Sequence, residues 1–193
     1  MKIDMTEYVA KILDEMPEDM DGTATSPAAD HLFQIIDGIE LLDEANSDFF
    51  HATVAKLLFL CKQGRPDIQT AIAFLCTRVQ QPTKHDYNKL ARVIKYLRQT
   101  DALVLRLGAE NPNIVKWWVD ASYGGHLNMR SHTGGAMSMG TGAVYSTSKK
   151  PKQNTNSPTE AARDGIDDVL TQAPCNKSFL EAESSDVPTT YNL

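Results

Sequence analysis

Cysteine is scarce in this sequence, and the positions of the few cysteines argue against two classes of protein. The 193 residues include only Cys61, Cys76 and Cys175. No two of them form a Cys-x-x-Cys pair, and an odd number cannot pair completely within one chain. A disulfide framework and a structural zinc site are therefore both disfavoured. We expect the chain to work in a reducing, intracellular compartment, either the cytoplasm or the nucleus.

Long apolar runs are also missing. No stretch approaches the roughly 18 apolar residues that a membrane span requires, and the segment that begins at Met1 lacks the apolar core of a signal peptide. We therefore expect no membrane partner. Hydrophobic residues make up 41% of the chain and charged residues 23%, a composition typical of a globular protein with a buried core.

The net charge of −6 hides a strong segregation of charge along the chain. Residues 1–48 carry two bases and thirteen acids, a balance of −11. Residues 49–153 carry fifteen bases and five acids (+10), and residues 154–193 carry two bases and seven acids (−5). A basic middle attracts polyanions such as nucleic acids. Ordinary solvated helix faces explain the same pattern equally well.

The first predicted segment, residues 1–48, is an acidic helix followed by a linker. Asp4 with Glu7 fits an acidic N-cap and an N3 carboxylate, and an apolar stripe at helical spacing follows until Pro17 ends the helix. From Glu18 to Asp30 the chain is acidic and rich in Ala, Thr, Ser and Pro, which predicts a linker. Residues 37–48 are interpreted as a second acidic connection.

The second predicted segment, residues 49–100, is a unit of three helices. The pattern predicts a helix over 49–62 that stops at Gly64, a second over 67–79 that begins after Pro66, and a third over 83–99. The third helix has an apolar stripe at helical spacing. Its other face is basic and carries Lys84, Lys89, Arg92, Lys95 and Arg98.

The third predicted segment, residues 101–193, changes in character to short extended runs. Strands are predicted at 104–107, 114–119, 133–139 and 143–148, separated by Gly or Asn/Pro turns. After a polar loop, a helix is predicted over 158–173. These elements predict an α+β fold in which a helical N-terminal unit is followed by short strands and one helix.

Two carboxylates are candidate metal ligands. Asp120 ends the strand that contains Trp117 and Trp118, and Glu160 opens the last predicted helix. An acid on a strand and an acid on a helix can converge on Mg²⁺, which prefers oxygen ligands. Each acid also has an ordinary explanation, since strand-end aspartates make turn hydrogen bonds and acids near helix N-termini complement the dipole.

The stretch IVKWWVDASYGGHLNMRSHTGGAMSMGTGAVYSTSKKPKQNTNSPTEA resembles the start of the ribonuclease H (RNase H) domain of copia-type retrotransposon Pol polyproteins. That family carries Asp at the end of the first strand, Ser-His-Thr-Gly in the second, and Thr-Glu-Ala at the helix. The upstream stretches SPAADHLF, HATVAKLLFLCKQGRPDIQTAIAFLCTRV and KLARVIKYLRQT resemble the segment between the polymerase palm and RNase H. Together the resemblance covers nearly the whole chain.

The resemblance implies that Asp120 and Glu160 match the first two of four acidic ligands, which in the family hold two Mg²⁺ ions for cleavage of the RNA strand of an RNA–DNA hybrid. Ser122 and His132 match family positions, but a lone histidine beside Ser and Thr is more often a structural residue. The third ligand lies on the strand after the helix. The sequence reaches Leu193 about where that strand is expected to begin, so the sheet is expected to be incomplete and its first strand to form an open edge that invites self-association.

We therefore interpret the sequence as a truncated Pol fragment that is catalytically inactive. It is expected to bind Mg²⁺ weakly or not at all. The basic helix is expected to contact the phosphates of an RNA–DNA hybrid or another nucleic acid weakly and without sequence specificity. One alternative is an active Mg²⁺-dependent ribonuclease whose missing ligands come from another chain. Another is a non-enzymatic interaction protein that uses the helices of residues 49–100.

Overall fold

The protein folds into two compact units, Lys2–Leu105 and Arg106–Leu193, with Met1 counted in the second. The computed structural model describes residues 1–36, 38–110, 114–122, 132–149, 157–170 and 189–191. The helices are α1 (Thr6–Asp14), α2 (Glu44–Gln63), α3 (Gln69–Cys76), α4 (Lys84–Gln99) and α5 (Pro158–Leu170). The strands are β1 (Lys2–Ile3), β2 (Leu105–Arg106), β3 (Gly108–Ala109), β4 (Val115–Ser122), β5 (His132–Ser138), β6 (Gly140–Thr141), β7 (Tyr145–Lys149) and β8 (Thr189–Tyr191).

The N-cap of helix α1 lies one residue after the predicted position, Asp4. The helix starts at Thr6, and Met5 rather than Asp4 occupies the N-cap position. Asp4 still helps to start the helix, because its Oδ1 accepts hydrogen bonds from the backbone N (3.2 Å) and Oγ1 (2.8 Å) of Thr6. The expected apolar stripe is present, and Val9 and Ile12 are buried in the core of the helical unit.

Helix α2 extends into the stretch that was interpreted as an acidic connection. It begins at Glu44, and the Asp43 side chain caps it by accepting a hydrogen bond from the backbone N of Asn46 at 2.8 Å. The division predicted at residue 48 therefore falls inside a helix, and residues 2–48 share a compact unit with the helices that follow. The stop at Gly64 is confirmed, since its backbone N bonds the carbonyl of Leu60 at 3.0 Å.

The third and fourth helices begin close to where the sequence predicts. A 3-10 turn over Pro66–Ile68 leads into α3, which ends at Cys76, three residues before the predicted end. Helix α4 starts with a capping box, in which Thr83 bonds the backbone N of Asp86 and the Asp86 carboxylate bonds the backbone N of Thr83. Both mutual bonds satisfy backbone donors that a helix start otherwise leaves unpaired.

Residues 18–36, most of which were interpreted as a linker, pack onto α4. Met20 is fully buried and Leu32 is 6% exposed, and both belong to the same core as α2, α3 and α4. The backbone N of Ala24 donates to the carbonyl of Lys95 at 3.3 Å. The linker interpretation of Glu18 to Asp30 is therefore wrong.

The second unit contains a four-stranded mixed sheet in the order β7-β5-β4-β8. Strands β4, β5 and β7 are antiparallel, and β8 is parallel to β4, with Val115 opposite Thr189 and Trp117 opposite Tyr191. The expectation that β4 forms an open edge is therefore wrong over Val115–Trp117. The predicted strands after residue 114 and the start of α5 are confirmed, while the predicted helical residues 171–173 lie outside the described residues.

Helix α5 packs against β4 and β5. Val115, Trp117 and Met137 form a small buried core, with Val119 and Tyr145 packed against it. The α+β fold class is thus confirmed. Within the described ranges, none of the helices combines the length and apolarity needed to cross a bilayer.

Candidate metal centre and basic helix face

Asp120 lies near the end of β4 with an exposed side chain. Successive side chains of a strand alternate between the two faces of the sheet, and directly opposed residues share a face. Asp120 therefore lies on the face of Trp118, opposite the one that buries Trp117. Its neighbour across the pairing is Gly134 on β5, which has no side chain to cover the carboxylate.

Glu160 is the third residue of α5 and is half-buried. Its backbone N donates to the Ser157 Oγ at 3.1 Å, so Ser157 supplies the hydroxyl that satisfies a free donor in the first turn. A carboxylate in that turn also complements the helix dipole. Because α5 packs against β4, the fold brings the helix that carries Glu160 to the strand that carries Asp120.

A third metal ligand is not found in the part of the chain that the structure describes, where no cluster of three or more His, Cys, Asp or Glu side chains could hold a metal ion. Asp167 is exposed on α5 and lies seven residues from Glu160, about 10 Å along the helix axis at 1.5 Å per residue. The side chain of Asp164 lies outside the described residues. Asp120 and Glu160 alone do not make a two-metal site.

His132, at the start of β5, is only 9% exposed and pairs with a serine of the next strand. Its Nε2 lies 2.7 Å from the Oγ of Ser148 on β7, within hydrogen-bonding distance. This contact is the kind of hydrogen bond that a structural histidine beside Ser and Thr is expected to make. Ser148 has no distinctive spacing in the sequence, so only strand pairing identifies it.

Four of the five bases on α4, all except Lys95, are bonded through their side chains to the acidic N-terminal part of the chain. Lys84 forms an ion pair with Glu40 (2.6 Å) and Arg98 forms one with Asp21 (2.9 Å). Arg92 donates from Nη2 to the Ser26 Oγ at 3.1 Å. The basic face is therefore partly covered by residues 18–40 rather than fully solvated.

Lys89 is the most buried of these bases, with 8% of the residue exposed. Its Nζ donates to the carbonyl of Gln34 at 2.5 Å and lies 4.4 Å from the centroid of the Phe74 ring. Burial lowers the pKa of the Lys89 ammonium from its ordinary value. One carbonyl acceptor and one aromatic ring replace only part of the hydration that the ammonium has in water, so the charged form is disfavoured.

Lys89, Arg92 and Lys95 also line a groove between α4 and residues 23–32, with a volume of about 300 Å³. His31 and His85 also line this groove. Their rings are parallel within 8°, and the ring centroids lie 6.1 Å apart. Burial is the main cause that lowers the pKa of His85, and the nearby positive charge of Lys89 lowers it further. Sequence analysis missed both histidines, because they are 54 positions apart and share no motif.

No protein-family profile matches this chain, and no solved structure matches it. Among curated proteins, it is 28% identical over 52% of its length to a Saccharomyces cerevisiae protein named after transposon Ty5-1. It is 30% identical over 58% of its length to the retrovirus-related Pol polyprotein from transposon TNT 1-94 of Nicotiana tabacum. An uncharacterized mitochondrial protein of Arabidopsis thaliana is 29% identical over 58% of the chain.

These matches support descent from a retrotransposon Pol protein. The matched regions cover 33%, 8% and 46% of the three relatives, so the chain corresponds to less than half the length of each. The matches therefore do not assign the activities of these longer relatives to this chain.

Proposed function

We propose that this chain is a Pol-derived nucleic-acid-binding protein whose second unit descends from an RNase H domain and does not cleave RNA by itself. The observation that carries the proposal is the arrangement around β4. Strand β4, which bears Asp120, is followed in the same sheet by the antiparallel strands β5 and β7. Helix α5, with Glu160 in its first turn, comes next, and β8 then runs parallel to β4. This order agrees with what the resemblance to copia-type proteins implies.

The donor set supports the inactive form of the proposal. Mg²⁺ takes six oxygen ligands in near-octahedral geometry and keeps several waters when the protein supplies one or two carboxylates. Two bound ions would stabilise the attacking and leaving oxygens of a phosphodiester. Asp120 and Glu160 are the two carboxylates that would contribute to such a centre, and the described residues add no third group.

We expect purified protein to leave an RNA–DNA hybrid intact in excess Mg²⁺. The assay follows end-labelled RNA of the hybrid on a denaturing gel, and the Asp120→Asn variant is the matched control. Wild type and variant should give the same background because neither holds a pair of metal ions. A competent ribonuclease H added to the same tubes verifies the substrate.

The active alternative predicts a different result. If a second copy supplies the missing ligands, cleavage should rise more steeply than linearly with protein concentration and vanish in Asp120→Asn. Cleavage of that kind would overturn the inactive form of the proposal.

Nucleic-acid binding is proposed for the basic face of α4. The Lys84–Glu40 pair is well exposed, and such ion pairs contribute little to stability, so a phosphate can replace the carboxylate at small cost. Arg98 is bonded to an exposed Asp21 in the same way. Lys89 is buried, so it is expected to contribute through the local potential rather than by direct contact.

We expect weak binding to an RNA–DNA hybrid, with a Kd of about 10⁻⁴ to 10⁻⁶ M at physiological salt that weakens as salt rises. Lys84→Ala and Arg98→Ala should each weaken binding by a few fold and flatten the salt dependence, because each removes about one phosphate contact. The matched control is Lys56→Ala on α2, since Lys56 is also an exposed lysine paired with a glutamate, Glu15. Fluorescence anisotropy of a labelled hybrid measures all four proteins.

One observation favours the interaction-protein alternative. Leu58 and Phe59 are adjacent on α2 and are 40% and 50% exposed. Salt-independent binding to a protein, together with no affinity for the hybrid, would favour this alternative over nucleic-acid binding.

A further inference from the structure

The groove between α4 and residues 23–32 is a positively charged concavity. Lys89, Arg92 and Lys95 lie along it, one helical turn apart in succession, and His31 and His85 complete its polar lining. None of the described aspartates or glutamates lines it. Three cations around one cavity without a lining acid favour an anionic occupant.

Asp86 and Asp21, two acids close in sequence to the groove residues, are bonded to other side chains. Asp86 accepts hydrogen bonds from Arg78 and from Thr83 at the start of α4. Asp21 is paired with Arg98. Lys89, Arg92 and Lys95 form no salt bridge with a carboxylate among the described residues, although the charge of Asp86 acts on Lys89 and partly opposes the lowering of its pKa.

The donors of Arg92 are only partly satisfied by the described residues. Its Nη2 bonds Ser26, and its Nε is buried without a hydrogen-bond partner among the described residues, as is the Nε of Arg98 outside the groove. A buried donor without an acceptor costs free energy, and in folded proteins such a group commonly bonds a water or an ion. Lys95 likewise has no ion-pair partner in the part of the chain that the structure describes.

We propose that this groove binds a small phosphate dianion, either free phosphate or the phosphate group of a phosphomonoester. Phosphate offers several acceptor oxygens at once, which suits a guanidinium fork and an ammonium placed a turn apart. An anion in the groove would also offset the burial that lowers the pKa of Lys89. The volume of about 300 Å³ is at the small end of the range for small-molecule pockets.

The concave shape argues for a small ligand rather than a duplex. Duplex phosphates lie along a convex ridge, and proteins contact them from exposed side chains. The two bases of α4 best placed for that, Lys84 and Arg98, do not line the groove. The proposal is independent of Asp120 and Glu160, which lie in the other unit.

Titration of the full chain with inorganic phosphate, with adenosine monophosphate and with adenosine tests the proposal by calorimetry. We expect saturable binding of phosphate or of the monophosphate, and none of adenosine. Tighter binding of the monophosphate than of phosphate identifies a phosphomonoester as the ligand class, and equal binding identifies free phosphate. No saturable binding of either at millimolar concentration overturns the proposal.

Matched lysine variants locate the binding. Lys95→Met keeps the side-chain volume and should weaken phosphate binding about tenfold, because it removes a charge-assisted hydrogen bond. Lys56→Ala removes an exposed lysine of α2 that does not line the groove and should leave phosphate binding unchanged. Equal losses in both variants would show general attraction by surface charge and would overturn the groove as the site.

A parallel hybrid-binding measurement separates this proposal from the proposed function. Loss of hybrid binding in Lys95→Met without any binding of phosphate or the monophosphate would assign the groove to nucleic acid and reject the small ligand. Phosphate binding in a protein that has no affinity for the hybrid would reject nucleic-acid binding and leave the groove proposal standing.

Discussion

Arg65→Ala is expected to lower the free energy of unfolding of the helical unit by about 2–4 kcal/mol, because it removes a buried guanidinium with its hydrogen bonds and its packing. Arg65 is 2% exposed and pairs with Asp67 at 2.8 Å. It also donates to the carbonyl (3.0 Å) and the hydroxyl (2.7 Å) of Thr100. One guanidinium thus ties the loop after α2 to the end of α4.

The loss has two sources. The carbonyl of Thr100 would lose the donor that Arg65 supplies, and a cavity would replace the buried side chain. Asp67, whose side chain is 33% exposed, would keep the bond from Tyr96. Tyr96 would lose the guanidinium that lies 5.7 Å from its ring centroid. Arg65→Lys keeps the charge but has no planar fork, so it should recover only part of the stability.

Urea unfolding followed by far-ultraviolet circular dichroism measures this effect, because four of the five described helices lie in this unit. The control is Lys56→Ala, which removes an exposed ion pair with Glu15 and should cost less than about 1 kcal/mol. An Arg65→Ala variant as stable as the wild type would show that the buried network contributes nothing net.

Trp117→Ala is expected to destabilise the sheet unit by about 3–5 kcal/mol, as large-to-small changes of a buried aromatic do. Trp117 is 1% exposed at the centre of the small core formed with Val115 and Met137. Its ring centroid lies 5.8 Å from that of Tyr145. With so few buried apolar residues in this core, the surroundings can compensate little for the lost ring.

The adjacent residue provides the control. Trp118 is next on the same strand, points to the opposite face and is 44% exposed, so Trp118→Ala should cost less than about 1 kcal/mol. Each variant keeps one of the two tryptophans of the chain on β4, and its fluorescence reports unfolding of this unit. Similar losses in both variants would show that burial of Trp117 is not what stabilises the sheet.

Local pattern was sufficient for most of the elements. Helix α4 follows from its apolar spacing and from Thr83 with Asp86 at its start, and β4 follows from a β-branched and aromatic run. Residues 18–30 were misinterpreted, because their burial depends on an isolated side chain, Met20, that follows no period. A sequence window cannot distinguish such a segment from a linker.

The candidate metal centre was only half predictable. The resemblance identified Asp120 and Glu160, and the fold brings their elements together. The pairing of β8 with β4 was not predicted. Strand β8 has only three residues and lies more than 70 positions from its partner, so its sequence does not indicate which strand it pairs with. The binding and catalytic roles of the two acids and of the α4 bases stay predictions.

The sequence by itself determined the type and order of the elements, the separation of acidic and basic segments, and the positions of Asp120 and Glu160 on a strand and a helix. These features depend on residues a few positions apart, where helical and strand periodicities act. Only the tertiary structure decided that Asp21, Ser26 and Glu40 bond the basic face of α4, that His31 meets His85, and that β8 pairs with β4. Such neighbours are chosen by burial and charge pairing between distant segments, which no local pattern records.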